Sequence, residues 1–375
     1  MTPTDGLLAD VLPAAAACLG VRGGVPSPPS WDLPAAPRVC VLLVDGLGHR
    51  LLAERGGHAP YLRELLQQGR VLESGFPSTT ATSLGSFGTG TPSGTHGMVG
   101  YQVLDPARDV LLNELSWDPE VDPVVWQPRQ TVFERVAAAG VATVQVGPSF
   151  FAGSGLTQAA LRGARFVAAS SLKERVDAAV AAVRSAPRTL VYVYWGDVDK
   201  VGHVHGCGSW QWGEEVAQVD LAVRELAARL PADALLLVTA AHGMVDVPKD
   251  ARLDVAEVPE LAKGVRLTGG EPRAPLLYCE PGQAAAVVGR WRERLGDAAE
   301  VLTGDEAVEA GWFGSVADDV RPRIGDVVVA VRDLVSVHDS RFQRPELMGL
   351  VGMHGARTDA ETRVPLLAVA GAALR

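Results

Sequence analysis

The chain has 375 residues, with 34 Lys and Arg against 44 Asp and Glu and a formal net charge of −10. This balance argues against nonspecific binding to a nucleic-acid polymer, so an anionic ligand would have to meet local cations, either metals or placed arginines. The length suits one large α/β domain, or a core carrying a smaller second unit. A hydrophobic content of 47% with only 6% aromatic suits Ala/Val/Leu strands buried beneath helices on both faces of a sheet.

The apolar patch VLPAAAACLG follows Asp5 and Asp10 with no Lys or Arg before it, which is not the signal-peptide pattern. No uncharged apolar run reaches 18 residues, so no membrane span is expected, and a cytoplasmic location is the default. RVCVLLVD (38–45) reads as a buried strand, and 48–69 as helical with a break at Gly56-Gly57. TVFERVAAAG is a helix stopped by Gly140, VATVQVG a strand, SLKERVDAAVAAVRSA a Ser-capped helix and RTLVYVYWGD a strand. WQWGEEVAQVDLAVRELAARL has helical spacing, and DALLLVTA returns as a buried strand. Alternation at crossover lengths implies a doubly wound, mainly parallel sheet. The segment 250–345 breaks the rhythm with Gly, Pro and charge around PLLYCE, GQAAAVVGRWRERLG and DVVVAVRD, before VPLLAVAG closes the chain as a strand. It reads as a smaller α+β cap inserted into a core of 1–249 and 346–375. Cys18, Cys40, Cys207 and Cys279 lack CxxC spacing and are expected to be reduced thiols.

Residues with metal chemistry fall where strands end. Asp45 closes the first strong strand and precedes Gly46, a placement that suits either a site carboxylate or an ordinary turn. The Ser/Thr cluster in GFPSTTATSLGSFGTG stands at a helix start, either as a cap or where backbone amides favour an anion. In YWGDVDKVGHVHG, Asp199 and His203 are four apart and share a helical face, with Asp197 and His205 as competitors. His242 follows the strand DALLLVTA, and His354 sits between glycines in GMHG. A hydroxyl nucleophile needs activation, and metal coordination is one of the few ways to supply it.

Taken together, VLLVDG, FPSTTAT, DKVGHVHG, TAAHGM and GMHG resemble the nucleotide pyrophosphatase/phosphodiesterase family of the alkaline phosphatase superfamily over nearly the whole chain. The resemblance implies an alkaline phosphatase-like α/β fold and two zinc ions, with Mn²⁺ or another divalent ion as the alternative. Asp199, His203 and His354 match the ligands of one ion; Asp45, Thr80, His242 and position 241 match those of the other. Thr80, three after Pro77, matches the nucleophile, with Thr79 as fallback. The implied reaction is hydrolysis of a small phosphodiester, pyrophosphate or nucleotide through a phosphothreonine intermediate. Backbone amides near Thr80, with Ser83, are candidates to hold a phosphoryl oxygen.

The departure is Ala241, where the family has aspartate. A methyl group binds no metal, so the second site is expected to be weakened and turnover impaired. Because the other ligand positions are filled, deliberate replacement of the aspartate fits better than natural divergence, which would be expected to lose more than one ligand. The enzymatic rival is a phosphonoacetate hydrolase-like cleavage of a carbon–phosphorus bond, and the non-enzymatic one a phosphate-ester binding protein. Sulfatases are excluded by the missing C/S-x-P-x-R motif and Rossmann dehydrogenases by the spacing in DGLGHR. Trp195, Tyr101 and Phe151 are candidates to stack on a nucleobase, and Arg273, Arg321 and Arg323 to meet a phosphate or carboxylate, against commoner roles in core and surface.

Overall fold

The apolar runs assemble into one eight-stranded sheet in the computed structural model, which describes residues 4–374 except 22, 24, 28 and 344. Its strands are β1 (Gly6–Leu7), β2 (Arg38–Val44), β3 (Arg70–Glu73), β4 (Ala142–Gly147), β5 (Arg165–Ala168), β6 (Thr189–Trp195), β7 (Ala234–Thr239) and β8 (Arg363–Ala370). The spatial order is β1-β3-β8-β7-β2-β6-β4-β5. β2 pairs in parallel with both β6 and β7, and β6, β4 and β5 continue in parallel. β8 is antiparallel to both β3 and β7. The mainly parallel α/β reading holds, while the reversed strand near one end was not foreseen: a continuous apolar run shows burial on both faces but not direction.

Two of the long helices start at serine caps. Ser171 accepts from the Glu174 amide and opens Leu172–Arg184, with Glu174 completing the capping box. Ser209 caps Trp210–Arg229 in the same position. The break at Gly56-Gly57 separates His49–Arg55 from Pro60–Leu66. All four cysteines are buried and free. Among the described residues, no helix is long and apolar enough to cross a membrane.

The segment 250–345 holds a four-stranded antiparallel sheet in the order Val265–Glu271, Ala274–Cys279, Val327–Val331, Ala299–Thr303. Alternate residues face opposite ways. Leu276, Tyr278, Val328 and Ala330 pack with Phe76, Val99, Val103 and Trp126 from the earlier chain. Leu277, Val327 and Val329 pack with Val287, Val288 and Trp291 of the helix Ala284–Leu295. The insertion is thus bound by its own core to residues that flank the Ser/Thr cluster.

Arg273 reinforces that attachment. Its guanidinium donates to both Glu361 oxygens at 2.8 Å, and these side chains are 1% and 0% exposed. Removing one partner of such a pair strands a buried charge and costs about 3–5 kcal/mol. Arg273 is therefore a structural tie between hairpin and core, not a free cation awaiting a ligand.

Candidate active site

Asp45 lies just beyond β2, and its backbone amide is held by Trp195 O at 2.8 Å. Gly46 follows with φ +73°, and a Cβ there would stand 2.7 Å from Asp199 Cα. Only glycine allows both that turn and that approach, which brings the ends of β2 and β6 together. Asp199 and His203 share a face of the helix Asp197–His205, which begins after β6. His242 follows β7, and His354 follows the short strand Gly352–Met353. Thr80 is the first residue of the helix Thr80–Thr89.

These residues converge. Thr80 Oγ1 donates to Asp45 Oδ2 at 3.0 Å and lies 3.3 Å from His242 Nε2, which is 3.2 Å from Asp45 Oδ1. His203 Nε2 lies 3.3 Å from Asp199 Oδ2 and 3.2 Å from His354 Nε2. Among the described residues, two sets of groups could hold a metal, Asp199 with His203 and His354, and Asp45 with Asp199 and His242. Asp199 belongs to both.

Each imidazole is oriented by a backbone carbonyl: His203 Nδ1 to Gly352 O at 2.7 Å, His354 Nδ1 to Ser78 O at 2.8 Å, and His242 Nδ1 to Gly243 O at 3.0 Å. A carbonyl only accepts, so Nδ1 carries the proton in all three. Every Nε2 is thereby turned into the site, the arrangement that metal-ligating histidines adopt. Asp45 Oδ1 and Asp199 Oδ1 are buried and accept no hydrogen bond among the described residues. Uncompensated carboxylate oxygens facing convergent imidazoles fit a cation.

These groups also shift one another's protonation. Burial pushes the Asp45 carboxyl up, and Asp199 adds to this, against His242, Tyr194 and Thr80. Burial would likewise raise Asp199, but His203, then His354 and His242, override it and hold the carboxyl below its usual range. Burial works to lower His203, and Asp199 overrides it, bringing it to about 9. Burial and the neighbouring His242 push His354 down. Ala241 sits beside this cluster with no exposed surface.

Two cavities open on Thr80 and Asp199. The larger, about 370 Å³, includes Thr79, Tyr101, Leu115, Glu271, Leu350 and Met353 among its walls. The smaller, about 170 Å³, is walled by Asp45, Phe151, Phe166, Tyr192 and Tyr194.

The model of the type I phosphodiesterase / nucleotide pyrophosphatase family matches residues 39–357. The chain belongs to that family. Its fold is shared with murine ectonucleotide pyrophosphatase / phosphodiesterase 5, at TM-score 0.70 and 17% identity over 88% of this chain and 87% of that one. An inactive variant of the murine protein has been solved in complex with AMP, with the same TM-score and coverage. Phosphonoacetate hydrolase from Sinorhizobium meliloti, in complex with phosphonoacetate, has TM-score 0.68 and 20% identity, covering 89% of each chain. These likenesses concern the fold. A phosphopentomutase of Shewanella putrefaciens is 31% identical over 163 residues, 42% of this chain and 38% of that protein. The chain thus matches well under half the length of that curated relative. Membership of the alkaline phosphatase superfamily follows from the family match.

The other residues singled out in the sequence divide. Asp197 stands outside both metal-holding groups, and His205 is exposed. Ser83 is buried and lines neither cavity. Trp195 is core, its Nε1 donating to Glu215 and its ring covered by Arg175. Tyr101 lines the larger cavity and Phe151 the smaller. Arg321 pairs with Asp305, and Arg323 lies 3.7 Å over Trp126 while donating to Gly97 O. None of the three insertion arginines lines either cavity.

Two site residues carry no signal in the sequence. Tyr194 donates to Asp45 Oδ2 at 2.6 Å, and this contact depends on the pairing of β2 with β6. Glu271 ends a strand of the insertion, and its Oε1 accepts from Thr79 Oγ1. Burial pushes its carboxyl up to about 7, against the Thr79 hydrogen bond and His203.

Proposed function

We propose that this chain hydrolyses phosphodiester or pyrophosphate bonds of small, nucleotide-type substrates, with Thr80 as nucleophile and two divalent ions as cofactors, zinc foremost. Residues 1–249 and 346–375 form the catalytic core, and 250–345 the cap. Asp199, His203 and His354 would hold one ion; Asp45, Thr80 and His242 would hold the other, with Ala241 leaving one carboxylate absent and activity impaired. The observation that carries this reading is the common orientation of three imidazoles, each fixed by a backbone carbonyl with Nε2 facing two orphaned carboxylate oxygens.

Bound ions would stabilise negative charge on the attacking, leaving and nonbridging oxygens. Asp45 accepts the Thr80 hydroxyl proton in a hydrogen bond and so aims the oxygen at the junction of the cavities. Attack would form the Thr80 Oγ1–P bond and break the bond from phosphorus to the leaving oxygen, with the hydroxyl proton ending on the departing alcohol or phosphate. Water then cleaves the phosphothreonine and restores Thr80. Tyr194 holds Asp45 from behind, as outer partners of metal ligands do. Tyr194→Phe is expected to weaken Zn²⁺ binding about 10–100-fold by calorimetric titration; unchanged affinity would remove Tyr194 from this role.

Carbon–phosphorus cleavage is the second reading, favoured by the likeness to phosphonoacetate hydrolase. Metal analysis of the chain, combined with a panel of p-nitrophenyl phosphodiesters, nucleotides and phosphonoacetate, separates the two. Turnover of diesters or nucleotides with bound divalent metal is the expected result. Phosphate release from phosphonoacetate alone would transfer the assignment, and metal-dependent binding without turnover of any compound would favour a binding protein.

A further inference from the structure

We propose that Glu271 makes the larger cavity a seat for an uncharged, apolar alcohol arm of a phosphodiester and bars a second phosphate from it. The inference rests on the phosphoester reading and narrows its substrate class. The two cavities share Thr80, Leu115 and Asp199, so a phosphorus centre at Thr80 has room for one substituent on either side. Leu115, Leu347, Leu350 and Met353 give the larger cavity apolar walls. Such walls suit an aryl or alkyl group.

Away from the metal centre, the charge of this wall opposes a second phosphate. The Asp199 carboxylate is taken up by the metal centre in the proposed function, which leaves Glu271 as the acidic group in the wall. Among the described residues, Lys200 is the only Lys or Arg lining this cavity, and it is exposed. Glu271 is 8% exposed. A buried carboxylate acts through a lower effective dielectric than a solvated ammonium, whose field is screened. The arginines of the insertion are engaged elsewhere, Arg273 with Glu361, Arg321 with Asp305 and Arg323 with Trp126 and Gly97.

Glu271 cannot readily turn away. Its Oε1 accepts the Thr79 hydroxyl, and its Cβ is packed so closely on Gly355 that a Cβ there would stand at 2.7 Å. The left-handed φ of +129° at Gly355 keeps that approach open only to glycine. Above the value of about 7 to which burial pushes its carboxyl, Glu271 is ionised, and a second phosphate entering this cavity then meets a like charge, the arrangement by which interfaces reject wrong partners.

The test compares two ligands that share the thymidine arm: thymidine 5′-(p-nitrophenyl) phosphate and thymidine 5′-diphosphate. Binding to the Zn²⁺-loaded chain is measured by calorimetry at pH 8, for the unaltered protein and for Glu271→Gln. The ester is expected to bind at least about tenfold tighter than the diphosphate. Glu271→Gln should close most of that gap by improving diphosphate affinity, with the ester changed less than about twofold. Equal or tighter diphosphate binding by the unaltered chain overturns the proposal, and that comparison needs no variant. A gap untouched in a folded Glu271→Gln protein overturns the role of Glu271. If neither ligand binds the metal-loaded chain, the phosphoester reading itself falls and carries this inference with it.

Discussion

Ala241→Asp is expected to raise turnover of a p-nitrophenyl phosphodiester by at least about 10–100-fold, the loss typical when even an outer partner of a metal ligand is removed. Ala241 is fully buried and directly precedes His242, at the position where the family carries an aspartate. In the chain as it stands, the set around Thr80 has Asp45 and His242, and draws its further carboxylate from Asp199, which also serves His203 and His354. One shared carboxylate would leave excess positive charge if two divalent ions were held, and the ion beside Thr80 would then be the less well bound. The expected change in metal content, by elemental analysis, is a rise toward two ions per chain. The two measurements fail separately. More metal without more turnover would keep the metal sites and sink the hydrolytic assignment, whereas neither change would favour a protein that binds phosphate esters without cleaving them.

How far the sequence carried this reading varies with the range of the interaction. The strands β2, β6 and β7 were legible because burial on both faces produces continuous Val/Leu runs, and the residues just beyond them were legible as site candidates because open α/β sheets place chemistry at carboxyl ends. Asp199 and His203 were legible as a pair because helical spacing is local. Glu271 and Tyr194 were not: one reaches the site by the docking of a hairpin, the other by the register of neighbouring strands, and neither relation leaves a periodicity. The insertion arginines show the same limit from the other side. Their charge left open a ligand phosphate or carboxylate beside the commoner surface role, yet Arg273 is buried on Glu361 and Arg323 covers Trp126. Charge in a sequence gives no indication of which partner a buried guanidinium has found.

Thr80→Ala, made in the chain carrying aspartate at 241, is expected to cut kcat by about 10⁴-fold or more, as loss of a nucleophile does in other covalent hydrolases. The fold should tolerate the change. Thr80 is the first helical residue, alanine has high helix propensity, and the only hydrogen bond assigned to its hydroxyl as donor goes to Asp45. A circular dichroism melt close to that of the parent would confirm that the lost rate is chemical. Thr79 is poorly placed to substitute, because it is 1% exposed and its hydroxyl is given to Glu271. Full activity in Thr80→Ala would nevertheless move the nucleophile, and Thr79→Val added to it would separate the remaining choices. Abolition by the double change would assign attack to Thr79, and persistence would assign it to water. The covalent route makes a further demand that water attack does not: brief acid quench during turnover of a ³²P-labelled diester should leave label on the parent protein and none on Thr80→Ala.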